Sequence, residues 1–268
     1  MPDTSKNLAQ IDCFLMDMDG TITLGDHLLP GARAWLDLLD ACGITYYFLT
    51  NNSSRSKVEY ADKLNRLGLD VSQEKIFTSG EATALYLKET NPEAALYVVG
   101  TAPLLEEFKR HGFRLTESDP DMVVLGFDTT LTYAKLWKLC DLVVAGKPYI
   151  ATHPDINCPT PDGFKPDIGS FIELVAASTG RRPDVIVGKP NEPIVSALVE
   201  KTGLPVEAHC MVGDRLYTDV ALGKWGMMTT LVLSGETRAE DLSSSQFKPD
   251  LVVWDIAEMT ELLKKVRQ

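Results

Sequence analysis

Short, unbroken apolar runs alternate along this chain with stretches in which apolar residues recur every three or four positions. Cys13-Phe14-Leu15-Met16 is such a run, the pattern of a strand buried on both faces at the centre of a parallel sheet. After Pro30-Gly31, the residues Ala34, Trp35, Leu38, Leu39 and Cys42 fall at helical spacing and stop at Gly43, which predicts a helix of about three turns. Residues 44–49 are β-branched and aromatic, a second strand ending at Thr50-Asn51-Asn52-Ser53-Ser54. A helix over 57–67, closed by Gly68, and a short strand over 75–78 complete β-α-β-α-β in the first third, and such crossovers build a right-handed parallel sheet.

The middle of the chain alternates on its own. Strands are predicted over 95–99, 122–127 and 149–152, with helices over 103–111 and 133–145 between them. Residues 153–166 read as a loop, holding Pro154, Pro159, Pro161 and Pro166, and a helix follows over 168–178. The last third returns to the opening pattern: strand 185–187, helix 193–202, strand 209–212 ending at Gly213-Asp214, helix 219–225, strands 228–233 and 251–254, and a terminal helix over 256–265. The expected fold is α/β, a Rossmann-like parallel-sheet core interrupted by a smaller inserted α/β unit, and no repeat of 20 to 50 residues is visible.

Composition narrows the function. A net charge of -12 and a pI near 4.8 argue against a nucleic-acid partner, which needs a basic face. A phosphate-bearing substrate must instead meet a local positive site. The five cysteines (Cys13, Cys42, Cys140, Cys158, Cys210) are scattered, with no C-x-x-C pair, as expected for free thiols in a reducing compartment. The first ten residues are polar and no run approaches a membrane span, so a cytoplasmic protein with no membrane partner is expected.

The candidate chemistry gathers at strand ends. Asp17 and Asp19 stand one residue apart directly after the first strand, followed by Gly20-Thr21, and ligands of open α/β sheets bind beyond the carboxyl ends of such strands. A carboxylate pair there can hold a divalent cation or divide nucleophilic and acid-base work. A calcium loop is excluded, because Ile22 and Leu28 occupy the positions where Gly and Glu are needed. Thr50 and Asn51 precede a helix, where they can cap it or cradle an anion. Gly-Lys-Pro occurs twice. Gly146-Lys147-Pro148 follows a helix and reads as its C-cap, whereas Gly188-Lys189-Pro190 follows a strand, where the ammonium of Lys189 can neutralise a phosphoryl group. Asp214 closes another apolar strand, and Asp219 doubles as a first-turn acid for the next helix. The histidines His27, His111, His153 and His209 form no pair at metal-ligand spacing.

In chain order these signals are Asp-x-Asp-Gly-Thr, Thr-Asn, Lys and Gly-Asp-x4-Asp, and the series resembles the haloacid dehalogenase superfamily of phosphotransferases. Thr50-Asn51-Asn52-Ser53, Gly188-Lys189-Pro190, Gly213-Asp214-Arg215, Leu233-Ser234-Gly235-Glu236-Thr237 and the long central insert look like its NagD or p-nitrophenyl phosphatase branch. The resemblance implies a Rossmann-like core of residues 1–79 and 183–268 and an inserted α/β cap of residues 80–182 that selects the substrate. It implies Asp17 as nucleophile, giving an aspartyl-phosphate, and Asp19 as general acid and base. It further implies Mg²⁺ held by Asp17, the Asp19 backbone carbonyl and Asp214, with Asp219 in support, and a phosphoryl group neutralised by Lys189, Thr50 and Asn51. The presence of Asp19 favours a phosphatase over a dehalogenase or an ion pump, and the eight residues of 22–29 are too few for the early helical cap of the sugar-phosphate mutases.

The expected activity is hydrolysis of a small phosphorylated metabolite, of the sugar phosphate or nucleotide class. A phosphoprotein phosphatase and a non-catalytic phosphometabolite-binding module are the alternatives, and a homo-oligomer is left open. One departure stands out. The branch often reads Ala-Thr-Asn-x-Asp after the last cap strand, but here Ala151-Thr152-His153-Pro154-Asp155 places a histidine at the Asn position, and no substrate contact is carried over to it.

Overall fold

A computed structural model describes residues 8–160 and 163–267. The polar amino-terminal residues 1–7 and Pro161 of the proline-rich loop lie outside the described residues. In chain order the strands and helices begin with β1 (Cys13–Met16), the small hairpin β2 (Thr23–Leu24) and β3 (His27–Leu28), α1 (Ala32–Ala41), β4 (Thr45–Thr50), α2 (Lys57–Arg66), β5 (Ile76–Thr78) and α3 (Ser79–Thr90). There follow β6 (Ala95–Val99), α4 (Ala102–Arg110), β7 (Arg114–Leu115), β8 (Met122–Leu125), α5 (Tyr133–Val144), β9 (Tyr149–Ala151), β10 (Asn157–Thr160), β11 (Gly163–Pro166), α6 (Ile168–Thr179) and β12 (Val185–Ile186). The chain finishes with α7 (Glu192–Thr202), β13 (His209–Gly213), a 3-10 turn (Val220–Trp225), β14 (Met228–Val232), α8 (Asp241–Ser244), β15 (Leu251–Val253) and α9 (Ile256–Arg267).

The chain divides into two compact units. One contains the described residues up to Thr50, Ala61–Phe77 and those from Leu198 onward; the other contains Asn51–Tyr60 and Thr78–Ala197. The first is built on a six-stranded sheet of order β15-β14-β13-β1-β4-β5. β1 lies at its centre, paired in parallel with β13 (Cys13↔His209 to Met16↔Val212) and with β4 (Cys13↔Thr45 to Met16↔Phe48). All four of its residues are fully buried, which is why the run is apolar without alternation. Trp35 of α1 seals one face: its ring meets Phe14 edge-on at 5.0 Å, and its indole N–H points at Met16 Sδ, 3.0 Å away.

The second unit has a five-stranded sheet, β12-β9-β8-β6-β7, and the two-stranded antiparallel hairpin β10-β11. Its core joins Val99, Val123, Leu125, Tyr149 and Ala151 from the sheet with Leu139 and Val143 of α5 and Ile172 and Val175 of α6. Two local expectations are corrected here. The strand at 185–186, which reads as the return to the first pattern, pairs with β9 (Val185↔Ile150, Ile186↔Ala151) and belongs to the second sheet; a two-residue strand carries no pattern that declares its sheet. The proline-rich loop holds a hairpin, because Pro159 and Pro166 sit in a two-stranded ribbon, where edge positions tolerate a missing N–H.

Helix α3 has no counterpart in the sequence reading. Its residues Ser79, Gly80, Glu81, Ala82, Thr83 and Ala84 are all buried, so small and polar residues fill a crowded site and no apolar stripe marks the helix. The legible signal was Thr78-x-x-Glu81: the Thr78 hydroxyl accepts the Glu81 N–H at 3.1 Å, one half of a capping box. The five cysteines are free. Among the described residues no helix is long and apolar enough to cross a membrane.

Candidate active site

Parallel strands point their carboxyl ends to one edge of the sheet. In the first unit this places Asp17 after β1, Thr50 at the end of β4 and Asp214 after β13 on that edge. The Asp17 N–H still donates to Val212 O at 2.9 Å, so the β1–β13 ladder runs up to the first carboxylate. The chain then turns sharply: the N–H groups of Ile22 and Thr23 both donate to Met18 O at 2.9 Å, and that of Gly20 to Thr23 O at 2.7 Å.

Three carboxylates converge there. Asp17, Asp214 and Asp219 each offer an oxygen within 4.8 Å of the others, with Asp214 and Asp219 buried. Asp214 Oδ2 accepts the Glu236 N–H at 2.7 Å, and Asp219 Oδ2 accepts the Arg215 N–H at 3.1 Å. Asp214 Oδ1 is buried without a hydrogen-bond partner. Burial, then the charges of Asp17 and Asp219, push the Asp214 carboxyl up from 3.8 to about 7, against the opposing pull of the Glu236 N–H and of Arg215. A buried anion with an unsatisfied oxygen beside two more carboxylates is an arrangement that protein groups alone leave costly. An all-oxygen set of this kind fits a hard divalent cation.

The space around Asp214 is closed by backbone. A Cβ on Gly20, whose φ is +92°, would stand 2.3 Å from Asp214 Oδ2, and one on Gly235 would stand 2.0 Å from the same atom. Both positions therefore need glycine. Ser234 links the two loops by donating its hydroxyl to Gly20 O at 2.7 Å, so Leu233-Ser234-Gly235-Glu236-Thr237 is part of the wall and supplies a main-chain donor.

Asp19 takes a different direction from Asp17. Its Oδ1 accepts the Thr23 hydroxyl at 3.0 Å and the Lys63 ammonium at 3.2 Å, and its side chain is 61% exposed. That separation suits two carboxylates with two tasks. Lys63 lies outside every motif, and Arg215, although part of Gly213-Asp214-Arg215, has no role assigned to it there. Lys63 lies on an ordinary amphipathic helix, and Arg215 is flanked by the more conspicuous aspartates. Arg215 Nε stands 2.8 Å from Glu236 Oε2, and the Tyr217 hydroxyl donates to Glu236 Oε1 at 2.7 Å, so one glutamate gathers a cation and a phenol next to Asp214.

In the second unit the structure joins two other expected site residues. The Asn51 carboxamide clasps the backbone at Lys189: Oδ1 accepts the Lys189 N–H at 2.8 Å, and Nδ2 donates to Lys189 O at 2.9 Å and to Asp155 Oδ1 at 3.1 Å. Lys189 is 2% exposed. Thus Gly188-Lys189-Pro190 does follow a strand, as expected, but a strand of the second sheet.

Two family models match the chain. The haloacid dehalogenase-like hydrolase model matches residues 14–114, and a second, HAD-hydrolase-like, model matches residues 186–259. The dihydroxyacetone phosphatase of Corynebacterium glutamicum is 34% identical over 249 residues, 92% of this chain and 90% of that protein. The chain belongs to the haloacid dehalogenase superfamily. Among solved structures, this superfamily member is similar to the 4-nitrophenylphosphatase of Thermotoga maritima (TM-score 0.92, 47% identity, 95% of this chain and 98% of that one). It is also similar to NagD of Escherichia coli K-12 (TM-score 0.87, 32% identity, 92% and 98%). These likenesses put it in the NagD-like branch, and it is a phosphatase.

Proposed function

We propose that the protein is a Mg²⁺-dependent phosphomonoesterase that hydrolyses a small phosphorylated metabolite, a sugar phosphate or nucleotide, through an aspartyl-phosphate in a reducing, cytoplasmic setting. The observation that carries the reading is the convergence of Asp17, Asp214 and Asp219 within 4.8 Å at the carboxyl edge of the first sheet, with Asp214 Oδ1 unpartnered. Asp17, Asp214 and the Asp19 main chain would hold the ion, supported by Asp219, and the ion would neutralise these carboxylates and a phosphate oxygen.

In this reading the Asp17 carboxylate attacks phosphorus in line with the leaving oxygen, forming an O–P bond as the ester O–P bond breaks. Asp19 gives its proton to the departing alkoxide. It then accepts a proton from the water that attacks the aspartyl-phosphate, releasing inorganic phosphate and restoring both aspartates. The exposure of the Asp19 side chain and its contacts with Thr23 and Lys63 support this division, because they leave Asp19 open to exchange a proton while Asp17 stands with Asp214 and Asp219. Lys189, Thr50 and Asn51 bind the phosphoryl oxygens, since charge on those oxygens is what phosphoryl transfer must stabilise. The unit built on the second sheet acts as the cap that selects the substrate.

The test is phosphate release from p-nitrophenyl phosphate and a metabolite panel, with Mg²⁺ and with chelator. Asp17→Asn abolishes turnover while keeping the fold; Mg²⁺-dependent turnover that persists in that variant overturns the reading.

A further inference from the structure

His153 is fully buried, its ring set edge-on to Phe127 at 6.4 Å, and nothing so far accounts for a titratable ring at that place. Its Nε2 lies 3.0 Å from Asp167 Oδ1, and that carboxylate, itself 3% exposed, also accepts the first N–H of α6 from Ile168 at 2.6 Å. Its Nδ1 lies 3.1 Å from Thr152 Oγ1 and 3.3 Å from Ser79 Oγ.

The Ser79 contact sets a condition on the ring. Ser79 donates its one hydroxyl hydrogen to the Asn51 carbonyl oxygen, so toward His153 it can only accept. A bond between the two requires a hydrogen on Nδ1, whereas a ring bare at Nδ1 would accept the Thr152 hydroxyl instead. With Nε2 facing the Asp167 carboxylate, the form bonded to Ser79 is the imidazolium. The charged groups around it agree: burial opposes the charge, but the Asp167 hydrogen bond and the charges of Asp167 and Asp155 outweigh it and raise the His153 pKa. The Lys165 ammonium stands 5.3 Å from the centre of the Phe127 ring.

The other end of the chain of contacts is Lys189. From His153 the bonds run through Ser79 to the Asn51 main chain, and the Asn51 side chain clasps both backbone groups of Lys189. Gly188 presses the same segment against the histidine: its N–H donates to Thr152 O at 2.8 Å, and a Cβ there would stand 2.6 Å from His153 Cβ and 2.7 Å from Asn51 Oδ1.

We propose that the buried His153–Asp167 pair is a positioning device for phosphate binding, fixing the backbone of Lys189 through Ser79 and Asn51. This rests on the reading of Lys189 as the phosphate-binding lysine. The pair acts on affinity for the phosphoryl group and leaves the chemistry at Asp17 and Asp19 in place.

The test compares wild type, Ser79→Ala, His153→Asn and the double variant in Mg²⁺ with p-nitrophenyl phosphate, measuring KM, kcat and inhibition by inorganic phosphate. Ser79→Ala cuts the link while leaving the His153–Asp167 pair whole, so it keeps the fold even where His153→Asn does not. Each single variant is expected to raise KM and the phosphate inhibition constant by about tenfold, with kcat within about threefold, and the double variant no further. Unchanged KM in Ser79→Ala, or effects that multiply in the double variant, overturn the relay. Nitrogen NMR of the histidine ring in wild type is expected to show both nitrogens protonated in most molecules at pH 6.5, the ordinary histidine midpoint, and a mostly neutral ring there overturns the assignment. Wild type without Mg²⁺-dependent turnover overturns the phosphatase reading and the inference with it; active wild type with unaltered variants overturns the inference alone.

Discussion

Replacing Asp214 by Asn should stabilise the metal-free protein, and the size of the effect follows from the site. Asp214 is 2% exposed, stands among Asp17 and Asp219, and has its carboxyl raised from 3.8 to about 7. The folded state therefore holds this proton more tightly than the unfolded chain between these two values, so stability is full below about pH 4 and falls as pH rises toward 7. Above pH 7 the ionised group costs the fold roughly 2 to 4 kcal/mol. Asn keeps the oxygen that accepts the Glu236 N–H and places an N–H₂ donor at the unpartnered Oδ1 position of a residue grouped with two other carboxylates. In chelator, thermal unfolding of wild type and Asp214→Asn should nearly coincide at pH 4 and separate by about 5 °C or more at pH 8, the variant being the more stable. Adding Mg²⁺ at pH 8 should close the gap by raising wild type alone, since binding to the folded state stabilises it. Melting curves of the two proteins that run parallel from pH 4 to pH 8 would refute the reasoning, because only an Asp214 that titrates alike in the folded and unfolded chain carries no pH-dependent cost.

Two further perturbations test the frame that holds the site. Gly235→Ala puts a methyl group 2.0 Å from Asp214 Oδ2, so it should displace that carboxylate and lower kcat/KM about 100-fold, with far-UV circular dichroism unchanged; near-wild-type turnover would show that the Asp214 position is not critical. Trp35→Ala empties the fully buried site against Phe14 and Met16 and should cost about 3 to 5 kcal/mol, read as a lower midpoint of urea unfolding at unchanged slope.

The carboxylates that meet in the fold were legible where they stood at the end of a strand. Phe14-Leu15-Met16 before Asp17, and Cys210-Met211-Val212 before Gly213-Asp214, announce buried strands by their unbroken apolar character, and the residue after each is where a parallel sheet exposes its site. Elements without such a pattern were not legible. Helix α3 buries a run of small and polar residues, so burial and polarity no longer oppose each other along it. The hairpin β10-β11 is held by pairing between residues that include prolines, and pairing leaves no periodicity in so short a segment.

What the sequence determined by itself was the α/β class and the carboxylates after β1 and β13, since each depends on neighbours within a few positions. Only the tertiary structure decided which side chains share a site. Sheet order sets Asp17 beside Asp214, 197 residues later, and the turn after β13 swings Asp219 into the same group, while Thr23 and Lys63 draw Asp19 to a different set of partners. His153 gave no sign in the chain of its partners, which are Asp167 at a helix start and a serine hydroxyl 74 residues away. Strand ends are written locally, but the field at a carboxylate or an imidazole is made by groups that folding brings together.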